Sequence, residues 1–173
     1  MSLVAFIGMT LEATPDIVSA AGIRGLSFED EIETANALVP RLQRRGVESI
    51  VVLLHEGGFT SDSTVYDACP GISGPVIDIN DGLDPTVDAI VSGHTHQPYN
   101  CELADSEGTP RLLTSASSFG RTEPESRSRF LRSFSAATCA SCGAISSCIA
   151  VHFRRSGVIT TGSTTNRMSA LLV

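Results

Sequence analysis

VDAIVSGHTHQPYN, Val87 to Asn100, is the stretch from which the rest of the chain can be read. A short aliphatic run, Ala89–Val91, reaches a glycine and is followed by two histidines two residues apart, in a chain that has only four. A run of this length bounded by turn formers reads as a buried strand. Gly93 lets the backbone turn sharply after it. An H-x-H pair on an extended loop directs both imidazoles, His94 and His96, to one side.

The same grammar recurs upstream. In ESIVVLLHEGG, the unbroken aliphatic segment Ile50–Leu54 is expected of a central strand covered on both faces, and it ends at His55. Leu3–Met9 (LVAFIGM) is a further strand, and the turn-rich segment from Thr10 to Phe28 reads as a loop. FEDEIETANALVPRLQRRGV follows helix rules. Glu29, Asp30, Glu31 and Glu33 crowd its start, and Ile32, Ala35, Leu38, Val39 and Leu42 recur at three- and four-residue spacing. Arg41, Arg44 and Arg45 are expected in its last turn, with Gly46 following as a stop. Pro40 is expected to kink it. A long polar segment with a helix-like patch follows Gly58, and Arg111–Thr114 is a last strand before a Ser-rich turn. Short apolar strands alternating with helix give an α/β layered fold.

Ligand sites in open α/β sheets gather beyond the carboxyl ends of the strands. Three of the four histidines, His55, His94 and His96, lie just past such ends. Neutral imidazole is the commonest nitrogen ligand for Zn, Mn or Fe. One histidine at a strand end is more often a hydrogen-bonded core or surface residue, but three at equivalent positions point to a metal. Three imidazoles alone would suit a single zinc.

Composition bounds the alternatives. The 173 residues suffice for one domain, and a formal charge of −7 argues against a nucleic-acid binder as a whole. No apolar run reaches the roughly 18 residues a membrane-spanning helix needs, so no membrane partner is expected. The N-terminal stretch lacks a basic region and cleavage site, so it reads as strand rather than signal peptide. Charge is split along the chain. Residues 1–120 carry five Arg against seventeen Asp and Glu, whereas residues 121–173 carry seven Arg against Glu123 and Glu125 alone.

VVLLHEGG and VSGHTHQPY resemble the last two metal-binding motifs of the calcineurin-like metallophosphoesterases, specifically the 5′-nucleotidase branch. VAFIGMTLEATPDIV, ETANALVPRLQRRGVESIVVLLHEGG, ACPGISGPVIDI and the ending TSASSFGR are similar to stretches of the same enzymes, so the likeness covers nearly all of residues 1–121. The resemblance implies a partial metallophosphoesterase αββα sandwich and a hydrolase of phosphate monoesters, 5′-nucleotides first, acting in nucleotide catabolism. It implies two divalent ions (Zn, Mn, Fe or Co), with His55 and His94 on one and His96 on the other. Carboxylates or carbonyls behind the ligands should hydrogen-bond the rings and orient them, with Glu56 and the backbone near Gly57 and Gly58 within sequence reach. It also implies export, to the periplasm, cell surface or medium. In an exported protein Cys69 and Cys101 are expected to form a disulfide, the other reading being two unrelated buried thiols.

The family's earlier motifs are Asp-x-His, Gly-Asp with its bridging carboxylate, and Gly-Asn-His-Asp/Glu with the general-acid histidine. None occurs in this sequence. The chain is therefore expected to be the C-terminal half of a catalytic domain over residues 1–121, without a catalytic acid. A separate N-terminal half is its expected partner, and alone it should be inactive. Without the bridging carboxylate two cations a few ångströms apart repel by several kcal/mol.

Residues 122–173 do not continue the family pattern. The segment is rich in Arg, Ser and Thr and lacks sustained periodicity, which suits a weakly ordered or frame-shifted tail. The alternative is a small zinc module, since Cys139, Cys142, Cys148 and His152 form C-x2-C-x5-C-x3-H. On that alternative the chain would be a non-catalytic metal-binding or interaction fragment.

Overall fold

The computed structural model describes residues 3–119 and the backbone of residues 171–172. The tail with its Cys139, Cys142, Cys148 and His152 lies outside the described residues.

Strands β1 (Leu3–Met9), β2 (Val47–Leu54), β3 (Val87–Ser92), β4 (Pro98–Ala104), β5 (Pro110–Ala116) and β6 (Leu171–Leu172) form one sheet in the order β4-β5-β3-β2-β1-β6. β1, β2, β3 and β5 run parallel, whereas β4 and β6 pair antiparallel at the two edges. Helix α1 (Thr14–Ile17) is a single turn, and the longer α2 (Glu31–Gln43) and α3 (Pro75–Gly82) complete the secondary structure. The fold is α/β, as the sequence leads one to expect.

Alternation along the strands builds two faces. Ala5, Ile7, Ile50, Val52, Leu54, Ile90 and Leu113 pack with Ala35, Val39 and Leu42 of α2 and with Val76 and Ile79 of α3. Val51, Ala89 and Leu112 form a smaller cluster with Val4, Phe6 and Val91. Helix α2 starts where its acidic cluster leads one to expect, with the Asp30 carboxylate accepting from Glu33 N at 2.7 Å. It runs through Pro40 to Gln43, so that Arg44 is the C-cap and only Arg41 belongs to the last turn. Pro40 has no N–H to donate to the Asn36 carbonyl, so α2 lacks that one intrahelical bond yet runs on to Gln43.

Three elements depart from the sequence expectation, the first being the short edge strand β6 beside β1. The helical turn α1 interrupts the stretch from Thr10 to Phe28. Strand β4, PYNCELA, has no apolar run to announce it, being an edge strand that covers β5 by hairpin pairing.

Cys69 and Cys101 are joined by a disulfide, with Cα atoms 5.8 Å apart and a sequence separation of 32. It ties the loop preceding α3 to β4. Replacing both cysteines by alanine is expected to lower unfolding free energy by about 3–4 kcal/mol, the scale of a loop of this length. Urea denaturation of the two forms measures it.

Candidate metal centre

β2, β3 and β5 are neighbours in the sheet and parallel, so their carboxyl ends open on one edge. His55 follows β2, and His94 and His96 follow β3. The His55 and His94 rings meet edge to face, with centroids 5.2 Å apart and planes 65° apart. His96 is turned instead to Phe119, with centroids 6.0 Å apart. All three histidines are exposed, and among the described residues no hydrogen bond engages their rings.

The left-handed backbone falls on His94 (φ 63°) and His96 (φ 58°) themselves, not on Gly93, where the sequence suggests the turn. Space does not demand a glycine at residue 93. A Cβ there would lie 3.7 Å from His55 Nδ1, in contact with the neighbouring imidazole.

The two histidine loops are bound into one unit. Gly93 N donates to Glu56 O at 3.2 Å. Thr95 Oγ1 donates to Gly58 O at 2.8 Å. The Tyr99 hydroxyl accepts from Gly58 N at 3.0 Å and shares a 2.7 Å hydrogen bond with Ser92 Oγ, which donates to Thr114 O. Burial pushes the Tyr99 phenol pKa up, so the group stays neutral. Glu56 turns its carboxylate to Gly57 N at 2.8 Å. It therefore braces the loop backbone. Neither Tyr99 nor Thr95 is legible in the sequence, because their roles rest on hydrogen bonds across loops that no spacing rule encodes.

The separation of the His55 and His94 rings is compatible with a shared divalent ion. With metal–nitrogen bonds of about 2.0–2.1 Å, two imidazoles on one tetrahedral ion have ring centres roughly 5 Å apart. That is the separation of His55 and His94. The three imidazoles do not converge on a single point. Among the described residues, the one group of three or more His, Cys, Asp or Glu whose ligand atoms lie mutually within 4.8 Å is Glu12, Asp30 and Glu31.

That acidic trio follows β1 and opens α2. Glu31 is buried and accepts from Glu12 N at 2.8 Å. Its carboxyl pKa is raised, first by burial, with the Glu12 and Asp30 charges adding to it. A carboxyl whose folded-state pKa lies above its unfolded one costs stability as pH rises through that interval. Glu31→Gln keeps an oxygen for Glu12 N. It is therefore expected to melt higher than the parent at about pH 7 and to lose the advantage below about pH 4. Thermal melts across that range read the difference.

No protein-family profile matches the chain. It is 28% identical over 118 residues to the endonuclease YhcR of Bacillus subtilis (strain 168), covering 68% of this chain and 9% of that protein. Identity is 34% over 103 residues to the cell wall protein Lmo0130 of Listeria monocytogenes, covering 56% of this chain and 13% of that one. Among solved structures it matches a 5′-nucleotidase precursor from Thermus thermophilus (26% identity, TM-score 0.42, 55% of this chain and 18% of that one). It also matches the NAD nucleotidase NadN of Haemophilus influenzae (22% identity, TM-score 0.45, 68% and 20%). The chain thus spans a fifth or less of the length of each of these proteins. With HEGG and GHTH at adjacent strand ends, it resembles the calcineurin-like metallophosphoesterases, on the 5′-nucleotidase branch.

Proposed function

We propose that residues 1–121 are the second half of the catalytic domain of a metal-dependent phosphoesterase acting on phosphate monoesters, with 5′-nucleotides as the first class to test. The observation that carries this reading is the His55–His94 pair, set at single-ion spacing on the exits of two adjacent parallel strands. Two divalent ions, when bound, would supply the attacking hydroxide and neutralise the phosphoryl oxygens. His55 and His94 would hold one of them and His96 would contribute to the other. The loop brace through Gly93, Thr95 and Tyr99 holds together the backbone that carries the first two rings, which would reduce the ordering cost of binding.

On this reading the chain contributes nitrogen ligands and takes its general acid from elsewhere. It is expected to take up Mn²⁺, Co²⁺ or Zn²⁺ alone while releasing little phosphate from a nucleoside 5′-monophosphate. Adding a polypeptide with the Asp-x-His, Gly-Asp and Gly-Asn-His motifs should raise that release at least tenfold. Absence of hydrolysis in the mixture, with metal uptake intact, would refute the enzymatic part. Export to the cell surface is part of the proposal, supported by the Cys69–Cys101 bond and by the likeness to a protein named for the cell wall.

A further inference from the structure

Left-handed backbone at non-glycine residues is concentrated in one place. Among the described residues it occurs at His94, His96, Ser117 (φ 61°) and Phe119 (φ 59°). All four follow β3 or β5, which are neighbours in the sheet. A bulky residue in this conformation costs on the order of 1–3 kcal/mol and persists where surrounding contacts over-determine it. Two such contacts join the turns. Ser117 Oγ donates to His96 O at 2.9 Å, and the Phe119 ring meets the His96 ring edge to face, with planes 68° apart. Phe119 is 82% exposed, so its ring is not held there by burial in the core.

We infer that Phe119, seated by the Ser117 turn, is a positioning residue that keeps the His96 imidazole away from the His55–His94 pair and so reserves it for a second ion. This rests on the metal reading proposed above. H-x-H loops easily bring both rings to one ion, and three imidazoles satisfy a single zinc or cobalt well. A loop that did so would fill one site and empty the other. An aromatic edge contact holds a ring by geometry without occupying either nitrogen, so His96 keeps its donor atoms while its direction is set.

The test is Co²⁺ titration of the full chain, followed by visible absorption and calorimetry, for the parent, Phe119→Ala, Phe119→Tyr, His96→Ala and the double variant Phe119→Ala with His96→Ala. Phe119→Ala is expected to bind the first Co²⁺ about tenfold tighter, the scale on which groups around a ligand set alter metal affinity. Its absorption should intensify as a third nitrogen joins. Phe119→Tyr keeps the ring contact and should behave as the parent. His96→Ala should leave first-ion affinity unchanged in the parent but abolish the gain in the Phe119→Ala background. Because Phe119 is on the surface, a change in folding alone would not give this pattern. Equal affinity in the parent and Phe119→Ala overturns the inference and leaves the metal reading standing. So does weakening of the parent by His96→Ala. No Co²⁺ uptake by either protein overturns both.

Discussion

Arg111→Met is expected to destabilise the chain by about 3–5 kcal/mol, enough to unfold a domain of ordinary stability. Arg111 is 1% exposed, and its guanidinium is spent almost entirely on backbone carbonyls. Nε donates to Val87 O at 2.7 Å, and Nη2 to Asp84 O at 2.9 Å. Nη1 donates to Asn80 O. From β5 it therefore closes the open C-terminal carbonyls of α3 and fixes the entry of β3. Asp105 faces it at 3.7 Å and orders the β4–β5 turn by accepting from the backbone of Glu107 and Thr109. Burial lowers the Arg111 pKa, and the charges of Asp105, then Asp84, Asp88 and Asp81, oppose that fall. Methionine fills the volume but strands four carbonyl acceptors and one carboxylate. Arg111→Lys should recover only part, since an ammonium cannot reproduce the planar fork. Chemical denaturation is the measurement, and a loss below about 1 kcal/mol would show that the carbonyls find other partners.

Gly57→Ala is expected to have the largest effect on metal uptake of any change outside the histidines. A Cβ at Gly57 would fall 2.3 Å from Gly93 O and 2.8 Å from Thr95 Oγ1. The first neighbour is main chain, in the loop that carries His94. Relief requires the two histidine loops to part, with loss of the Gly93–Glu56 and Thr95–Gly58 hydrogen bonds. Overpacking of this kind costs about 1–3 kcal/mol. Displacement of the His94 loop should weaken Co²⁺ binding at the imidazole pair by tenfold or more. Calorimetric titration of parent and variant at matched folded fraction separates the two effects. Unchanged affinity would mean that the rings are placed independently of the loop contact.

The strands that carry the histidines are legible because buried parallel strands announce themselves as aliphatic runs. Ile50–Leu54 and Ala89–Val91 both do so, and their exits fix the edge on which His55 and His94 meet. Helix α2 is equally clear from its charges and its spacing. β4 is hidden because an edge strand with a half-exposed face needs no such run, and α1 because one turn has no periodicity. Arg111 reads as an ordinary strand-end charge, and only the three-dimensional meeting of α3, β3 and β5 reveals five carbonyl and carboxylate partners around it. The division of three histidines into a pair and a single ring is likewise set by loop backbone angles and by Phe119, which local sequence does not encode.

X-ray absorption of the Co²⁺-loaded chain measures the ligand set directly. Two imidazole nitrogens at about 2.0–2.1 Å are expected on the ion. They should be lost in His55→Ala and in His94→Ala and retained in His96→Ala. A spectrum dominated by sulfur, or one indifferent to both His55 and His94, would contradict the centre described here.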